Sequence, residues 1–448
     1  MQEDYKKLYR RLVEAYYENH FEETFQKIVD EMDSKEHARE VLSVLCGVDT
    51  PTQEDDFKFM QEIVHSIIQS QVRKKIINKI QACSSDCEEV DGKTKCQSVC
   101  PLNAILKEPI SNDKWIDEKS CIYCGRCIDI CEHHNFLDTP QFFPLVGLLK
   151  HRPVVAIVAP AIAGQFGKDV TLDQLREAFV KVGFTDMLEV AMAADILSLK
   201  EALEFNTHVK KEGDFMISSC CCPVWVTLLK KVYHKLIPDF SPSVSPMVAL
   251  GRITKKLTPH AKVVFIGPCV AKKAEAKDAD LAGAVDFVLT FQEVRELFDI
   301  LDIHPEELQG IPSIDYATTG GRLYARSGGV SQAVSDIVDQ ILPKKRDLFQ
   351  AVQVDGVKEC RAILEKLESG EVKASFIEGM ACEGGCVGGP KANIDKDQGR
   401  KAADEVAYAS AIKIPVNSQV ILETLSQLGI HDVKELVDKG CMFEREFK

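Results

Sequence analysis

The chain has 448 residues, 45% hydrophobic and 28% charged, with 17 cysteines and a formal net charge of −14. That length predicts two to three domains at roughly 150 residues each, and the composition is that of an ordinary globular protein. An acidic balance argues against nucleic acid or an anionic membrane as partner, and no run approaches the ~18 apolar residues of a transmembrane helix.

The first residues, MQEDYKKLYRRL, mix both charge signs and are followed by no apolar h-region. A cytoplasmic location is therefore the expectation, with reduced cysteines in place of disulfides. Residues 1–80 read as a helical region. Tyr5, Leu8, Leu12 and Tyr16 recur at helical spacing, and Phe57, Met60, Ile63, Ile67 and Val72 partly repeat the pattern.

Residues 81–145 change character, with eight cysteines between positions 83 and 131 and little apolar material to form a core. The second half reads CIYCGRCIDIC, so Cys121, Cys124, Cys127 and Cys131 follow C-x2-C-x2-C-x3-C. In that bacterial ferredoxin spacing three cysteines hold one cubane and the fourth crosses to the other. The first half is looser, with Cys83, Cys87, Cys96 and Cys100 followed by Pro101, and with Asp91–Gly92 expected as a turn inside the long gap.

The spacing predicts a ferredoxin-like domain with two [4Fe–4S] clusters. Cys83, Cys87, Cys96 and Cys131 are assigned to one, and Cys100, Cys121, Cys124 and Cys127 to the other. Structural zinc is the competing reading, since paired cysteines suit it. Three equally spaced cysteines fit it poorly. Two adjacent cubanes form a conduit for electrons, which implies an external electron carrier.

Residues 146–448 read as α/β. Short apolar runs at 154–160, 262–268, 286–291 and 374–379 are bounded by Gly or Pro, and helix-length stretches such as 171–184 and 357–370 lie between them. Runs apolar on both faces predict buried strands of largely parallel sheets covered by helices. Three turns rich in Cys, Gly and Pro follow predicted strands: SSCCCPVW at 218–225, GPCVAKKAEA at 267–276 and MACEGGC at 380–386. A lone buried cysteine is commonly a small hydrophobe, but four thiols at one sheet edge would make a third cubane.

These three segments closely resemble the signatures of the [FeFe]-hydrogenase family, roughly TSCCPxW, PCxxKKxEA and MACxGGCxxGG, and the resemblance covers about residues 83–448. It implies an H-cluster: a [4Fe–4S] cluster on Cys222, Cys269, Cys382 and Cys386. Cys386 would bridge it to a two-iron subcluster carrying CO, cyanide and an azadithiolate. Lys272 matches the lysine that hydrogen-bonds a cyanide, and Pro160, Ala161, Gly267 and Met380 match residues lining the pocket. Interconversion of H2 with protons and electrons is the implied activity, in an anaerobic setting and dependent on H-cluster maturation proteins.

The resemblance also implies a proton relay, Cys221–Glu201–Ser241–Glu204. Glu201 and Glu204 stand at i and i+3 on a predicted helix and hence on one face. Such a pair by itself is most often a solvated face.

Several pocket positions depart from the pattern. Gly267 stands where catalytic members place Met, Ala161 replaces a serine or similar residue, Met247 a Gln and Ala325 a Gly. Cys220 is a third consecutive thiol with no assigned role. The chain thus resembles the short sensory groups of the family more than the fast prototypes. Slow turnover and hydrogen or redox sensing are the expectation, with the signal passed to a separate protein. The alternative is a non-catalytic relative of the iron–sulfur assembly factors that lacks the two-iron unit.

Overall fold

A computed structural model describes residues 3–49, 55–83, 87, 89–313, 317–438 and 440–447. The chain forms two compact units. One comprises Met1–Arg152 with Gln292–His304, and the other Pro153–Phe291 with Pro305–Lys448.

The first unit opens with four helices, α1 (Glu3–Tyr17), α2 (Phe21–Glu31), α3 (Lys35–Leu45) and α4 (Asp56–Ile68). Ser34 and Asp55 cap α3 and α4 by accepting from the N–H groups of His37 and Lys58. The buried stripe of α1 is Tyr5, Tyr9, Leu12 and Val13, so Leu8 and Tyr16 sit at its margin. Phe57 is 58% exposed, against expectation, and Phe59 takes its place in the core beside Met60, Ile63 and Ile67. Both phenylalanines fit helical spacing, Phe57 three before Met60 and Phe59 four before Ile63, and packing chose the second.

The cysteine-rich stretch is built on three short antiparallel pairs: β1 (Ile77–Lys79) with β6 (Phe136–Asp138), β2 (Glu89–Val90) with β3 (Lys93–Thr94), and β4 (Ile105–Lys107) with β5 (Lys114–Ile116). Asp91 and Gly92 both take positive φ, 52° and 71°, as the two central residues of the β2–β3 hairpin.

The second unit holds two parallel sheets. The larger has the order β11 (Phe287–Thr290), β10 (Lys262–Gly267), β7 (Val154–Val158), β8 (Asp186–Glu189), and the smaller β12 (Ala351–Asp355), β13 (Phe376–Met380), β9 (Met216–Ile217). Every pairing in both is parallel. β7 and β13 are buried throughout, as strands covered on both faces must be. The expected α/β domain with parallel-sheet halves is therefore present.

Four helices of this unit matter for the site: α5 (Leu172–Val182), α6 (Ala191–His208), α7 (Pro223–Lys231) and α8 (Pro246–Leu257). α6 is buried along nearly its whole length, including Asp195, Lys200, Glu201 and Glu204. Trp225 on α7 is fully buried and packs over Gly379, where an added Cβ would stand 2.6 Å from the indole. Gly379→Ala is expected to destabilise the unit by about 1–3 kcal/mol through overpacking, read as a lowered urea midpoint.

Candidate metal centre and buried acid array

The two sheets of the second unit aim their strand ends at one place. Cys222 follows β9, Cys269 follows β10, and Cys382 and Cys386 follow β13. The sulfur of Cys386 faces those of Cys222 and Cys269, and Cys221 faces Cys386. Cys382 is tied into the same loop by its carbonyl, which accepts from Gly385 N–H at 3.0 Å.

The loops interlock. The N–H of Val387 donates to the Ala325 carbonyl at 2.9 Å, that of Lys391 to the Pro268 carbonyl at 3.0 Å, and that of Ala381 to Cys222 Sγ at 3.4 Å. Gly385, at φ 92°, and Gly389 leave no room for a Cβ against Arg326–Ser327 and Pro268.

Cys222, Cys269 and Cys386 keep partial accessibility although protein encloses each of them, so their sulfurs line an internal hollow. Burial first, then the neighbouring sulfurs, push the Cys269 thiol up to about 11 and the Cys386 thiol to about 12. Thiols crowded in this way ionise together when a cationic centre offsets their charge. The donor set fits a thiolate-held cluster.

Lys272 stands beside these cysteines on the short helix Ala271–Glu275. Burial opposes its charge, but Glu275 Oε2, 2.6 Å from Nζ, outweighs that and holds the ammonium above its ordinary range. Phe265, two residues before Gly267 and so on the same strand face, fills the space above it. A Cβ on Gly267 would meet the Phe265 ring at 2.5 Å. Lys272 Nζ lies 5.9 Å from the centroid of the same ring, within cation–π range. The Phe265 ring thus fills the space that a side chain at position 267 would need.

Pro160 and Ala161 open the turn after β7, one strand over from Gly267. Ala161, Met247, Ala325 and Met380 are all buried.

The acids on α6 are not a solvated face. Glu201 is fully buried, with Ser218 Oγ donating to Oε2 at 2.5 Å and Cys220 Sγ donating to Oε1 at 3.4 Å. Burial, partly offset by Ser218 and reinforced by Glu204, pushes its carboxyl up to about 7. Glu204 accepts from Ser241 Oγ at 2.6 Å and forms a close ion pair with the fully buried Lys200. Glu204 and Glu444 together outweigh the burial that opposes the Lys200 charge.

These contacts revise the order read from the sequence. The thiol bonded to Glu201 is Cys220, not Cys221, because the side chain two before Cys222 points toward α6 while Cys221 turns toward Cys386. Ser241 bonds Glu204 and not Glu201. Sequence reasoning left out Ser218 and Lys200. A lysine four residues before Glu204 in an apolar helix was the available signal for the second.

In the first unit Cys96 faces Cys131 and Cys83. The neighbours of Cys127 are Cys124, Cys121 and Cys100, with Cys96 after them. Backbone N–H groups of Ala104, Tyr123 and Asn135 point at the sulfurs of Cys100, Cys121 and Cys131 at 3.1, 3.4 and 3.3 Å. Cys87 is described, while residues 84–86 and 88 lie outside the described part. Among the described residues, no three Cys, His, Asp or Glu groups are gathered tightly enough to hold a single metal ion. Among them also, no helix is long and apolar enough to cross a membrane.

Fold and site define an α/β protein whose parallel sheets deliver a set of thiols and a buried lysine to one enclosed hollow. The sequence profile of the family described as iron only hydrogenase large subunit, C-terminal domain, matches residues 152–390. The chain belongs to that family, and membership implies iron–sulfur clusters and an H-cluster.

Among its relatives is the NADP-reducing hydrogenase subunit HndD of Solidesulfovibrio fructosivorans, 26% identical over 60% of this chain and 55% of the relative. Iron hydrogenase 1 of Clostridium pasteurianum is 24% identical over 62% of this chain and 64% of its own length. The chain therefore spans less than two thirds of either hydrogenase. Cytosolic iron-sulfur assembly component 3 of Rattus norvegicus is 24% identical, over 64% of this chain and 74% of that protein. A solved [FeFe]-hydrogenase HydA1 from Chlamydomonas reinhardtii has the same fold, with a TM-score of 0.53 and 21% identity over 66% of this chain and 94% of that one.

Proposed function

We propose that this chain interconverts H2 with protons and electrons at an H-cluster held by Cys222, Cys269, Cys382 and Cys386. The reading places a helical region at 1–80, a two-cluster ferredoxin-like domain at 81–145 and the catalytic domain at 146–448. The observation that carries it is the coexistence, around one hollow, of the thiol set, the buried Lys272 and a buried acid array on α6. A protein that only holds a cubane needs neither the lysine nor the acids.

When bound, the two-iron unit supplies the redox chemistry of hydrogen. The chain's own residues do the rest. Lys272 Nζ, anchored by Glu275, offers a charged donor to a diatomic ligand. The loops at 220–222, 269 and 382–386 exclude water from the hollow. Cys221 holds a proton on its sulfur at the inner end. Cys220 Sγ, bonded to Glu201 Oε1, brings the second thiol into the path, and Glu201, poised near neutrality, is suited to take and give a proton there. Ser241 and Glu204 form the outer part. The two clusters assigned to Cys83–Cys131 pass electrons to an external ferredoxin-like carrier in the cytoplasm.

Gly267, covered by Phe265, and the other pocket substitutions support slow turnover and a sensing role, with a separate protein receiving the signal. A second reading, a cluster-holding relative without the two-iron unit, is favoured by the greater share of the assembly component that the chain spans. Infrared spectra of protein produced with H-cluster maturation proteins separate the two. Bands in the CO and cyanide stretching regions are expected, and a fully matured sample without them eliminates the hydrogenase reading.

A further inference from the structure

Lys200 is a fully buried cation that hydrogen chemistry does not by itself require. Its side chain is 0% exposed, one position before Glu201 and four before Glu204 on α6. Nζ pairs closely with Glu204 Oε1 and lies 3.4 Å from Glu444 Oε1. Ser241 Oγ donates to the other oxygen of Glu204. Both Glu204 oxygens therefore have donors, one of them an ammonium that can only donate, which suits a carboxylate. Glu201 differs, since its bonded partners, Ser218 and Cys220, are neutral groups.

Glu444 reaches Lys200 from the C-terminal segment, where its side chain is 22% exposed and its Oε2 accepts from Gly440 N–H at 3.2 Å. Arg252 Nη1 pins that segment through the carbonyls of Met442 and Glu444 at 2.7 and 3.0 Å. Cys441 also faces Lys200. The pair of acids on α6 is thus asymmetric: among the described residues the inner one has no bonded cation, and the outer one is clamped by one that is shared with the surface.

We propose that Lys200 is a charge lock on the outer acid, its ammonium, with Glu444 as second counter-ion, holding Glu204 as a carboxylate and so restraining proton passage between Glu201 and solvent. The restraint rests on the relay reading given above. A relay acid must bind and release a proton in turn. Protonating Glu204 dissolves an ion pair in a water-excluded interior and leaves Lys200 with half its counter-charge, which is costly. Lys200 is a positioning residue, acting on the proton path through Glu204.

Isotope-edited difference infrared spectroscopy of the full chain across the neutral pH range tests the lock. Wild type is expected to show one titrating carboxyl among these acids, lost in E201Q. K200M is expected to show a second, lost in K200M/E204Q, while K200R shows none. A K200M spectrum without the second carboxyl overturns the lock, as does a Glu204 carboxyl already present in wild type. If K200M does not fold, K200Q, which keeps an N–H donor one bond shorter and without the charge, carries the same test. In H2/D+ exchange by the matured protein, K200M is expected to run about tenfold faster than wild type, and an unchanged rate overturns the restraint. E204Q with unchanged exchange removes the relay reading and the restraint with it, while the infrared arm still decides the charge state.

Discussion

Replacing Cys386 by alanine is expected to abolish the CO and cyanide infrared bands of the matured protein outright. Cys386 lies on the glycine-rich turn after β13 and faces Cys222 and Cys269 across the hollow. No other side chain there is assigned to bridge to the two-iron unit, so its loss is not compensated. Visible absorption from the clusters assigned to the first unit is expected to remain, since their cysteines lie between Cys83 and Cys131. Cys360→Ala is the control. Cys360 is fully buried, but its thiol donates to the Met380 carbonyl at 3.4 Å, so its replacement is expected to leave the bands in place. Bands that persist in C386A would remove the ligand assignment.

Glu201→Gln is expected to lower H2/D+ exchange by about 10²-fold or more, the usual weight of a positioned proton-transfer group. Binding of the clusters is expected to be unaffected, because Ser218 can still donate to the amide oxygen while the amide NH2 meets the Cys220 sulfur, a weak acceptor. The same substitution has a pH signature. The buried Glu201 carboxyl is pushed up to about 7, above the ordinary ~4.3 of the unfolded chain. A raised carboxyl contributes stability that is present below about 4 and is lost as pH rises through about 7. Urea midpoints of the wild type are therefore expected to fall between mildly acidic and mildly alkaline pH more steeply than those of E201Q. Parallel pH dependence in the two proteins would refute the poised carboxyl.

Much of this was legible in the sequence because it depends on local chemistry. Strands buried on both faces must be continuous apolar runs, and 154–158, 262–267, 287–290 and 376–380 were readable for that reason. The turn at Asp91–Gly92 was readable because positive φ at two successive positions demands such residues. The eight cysteines between 83 and 131 recur at short spacings, so their grouping is written along the chain.

What faces a side chain across the fold is another matter. Helical spacing put Glu201 and Glu204 on one side of α6, but that helix is buried nearly all round, and spacing does not say what lies opposite. Tertiary structure set Lys200 and the distant Glu444 against Glu204, and Ser218 with Cys220 against Glu201. Three consecutive cysteines are equivalent as letters. Only the backbone path from β9 into α7 turns Cys220 toward the acids, Cys221 toward Cys386 and Cys222 into the hollow. Gly267 read only as a glycine where catalytic members place Met, and the fold set the Phe265 ring against it, since alternate residues of a strand share a face. The sequence by itself determined which elements form and which atoms are available to bind metal. The tertiary structure decided which charges meet in the interior, because a buried charge is set by partners that arrive from anywhere in the chain.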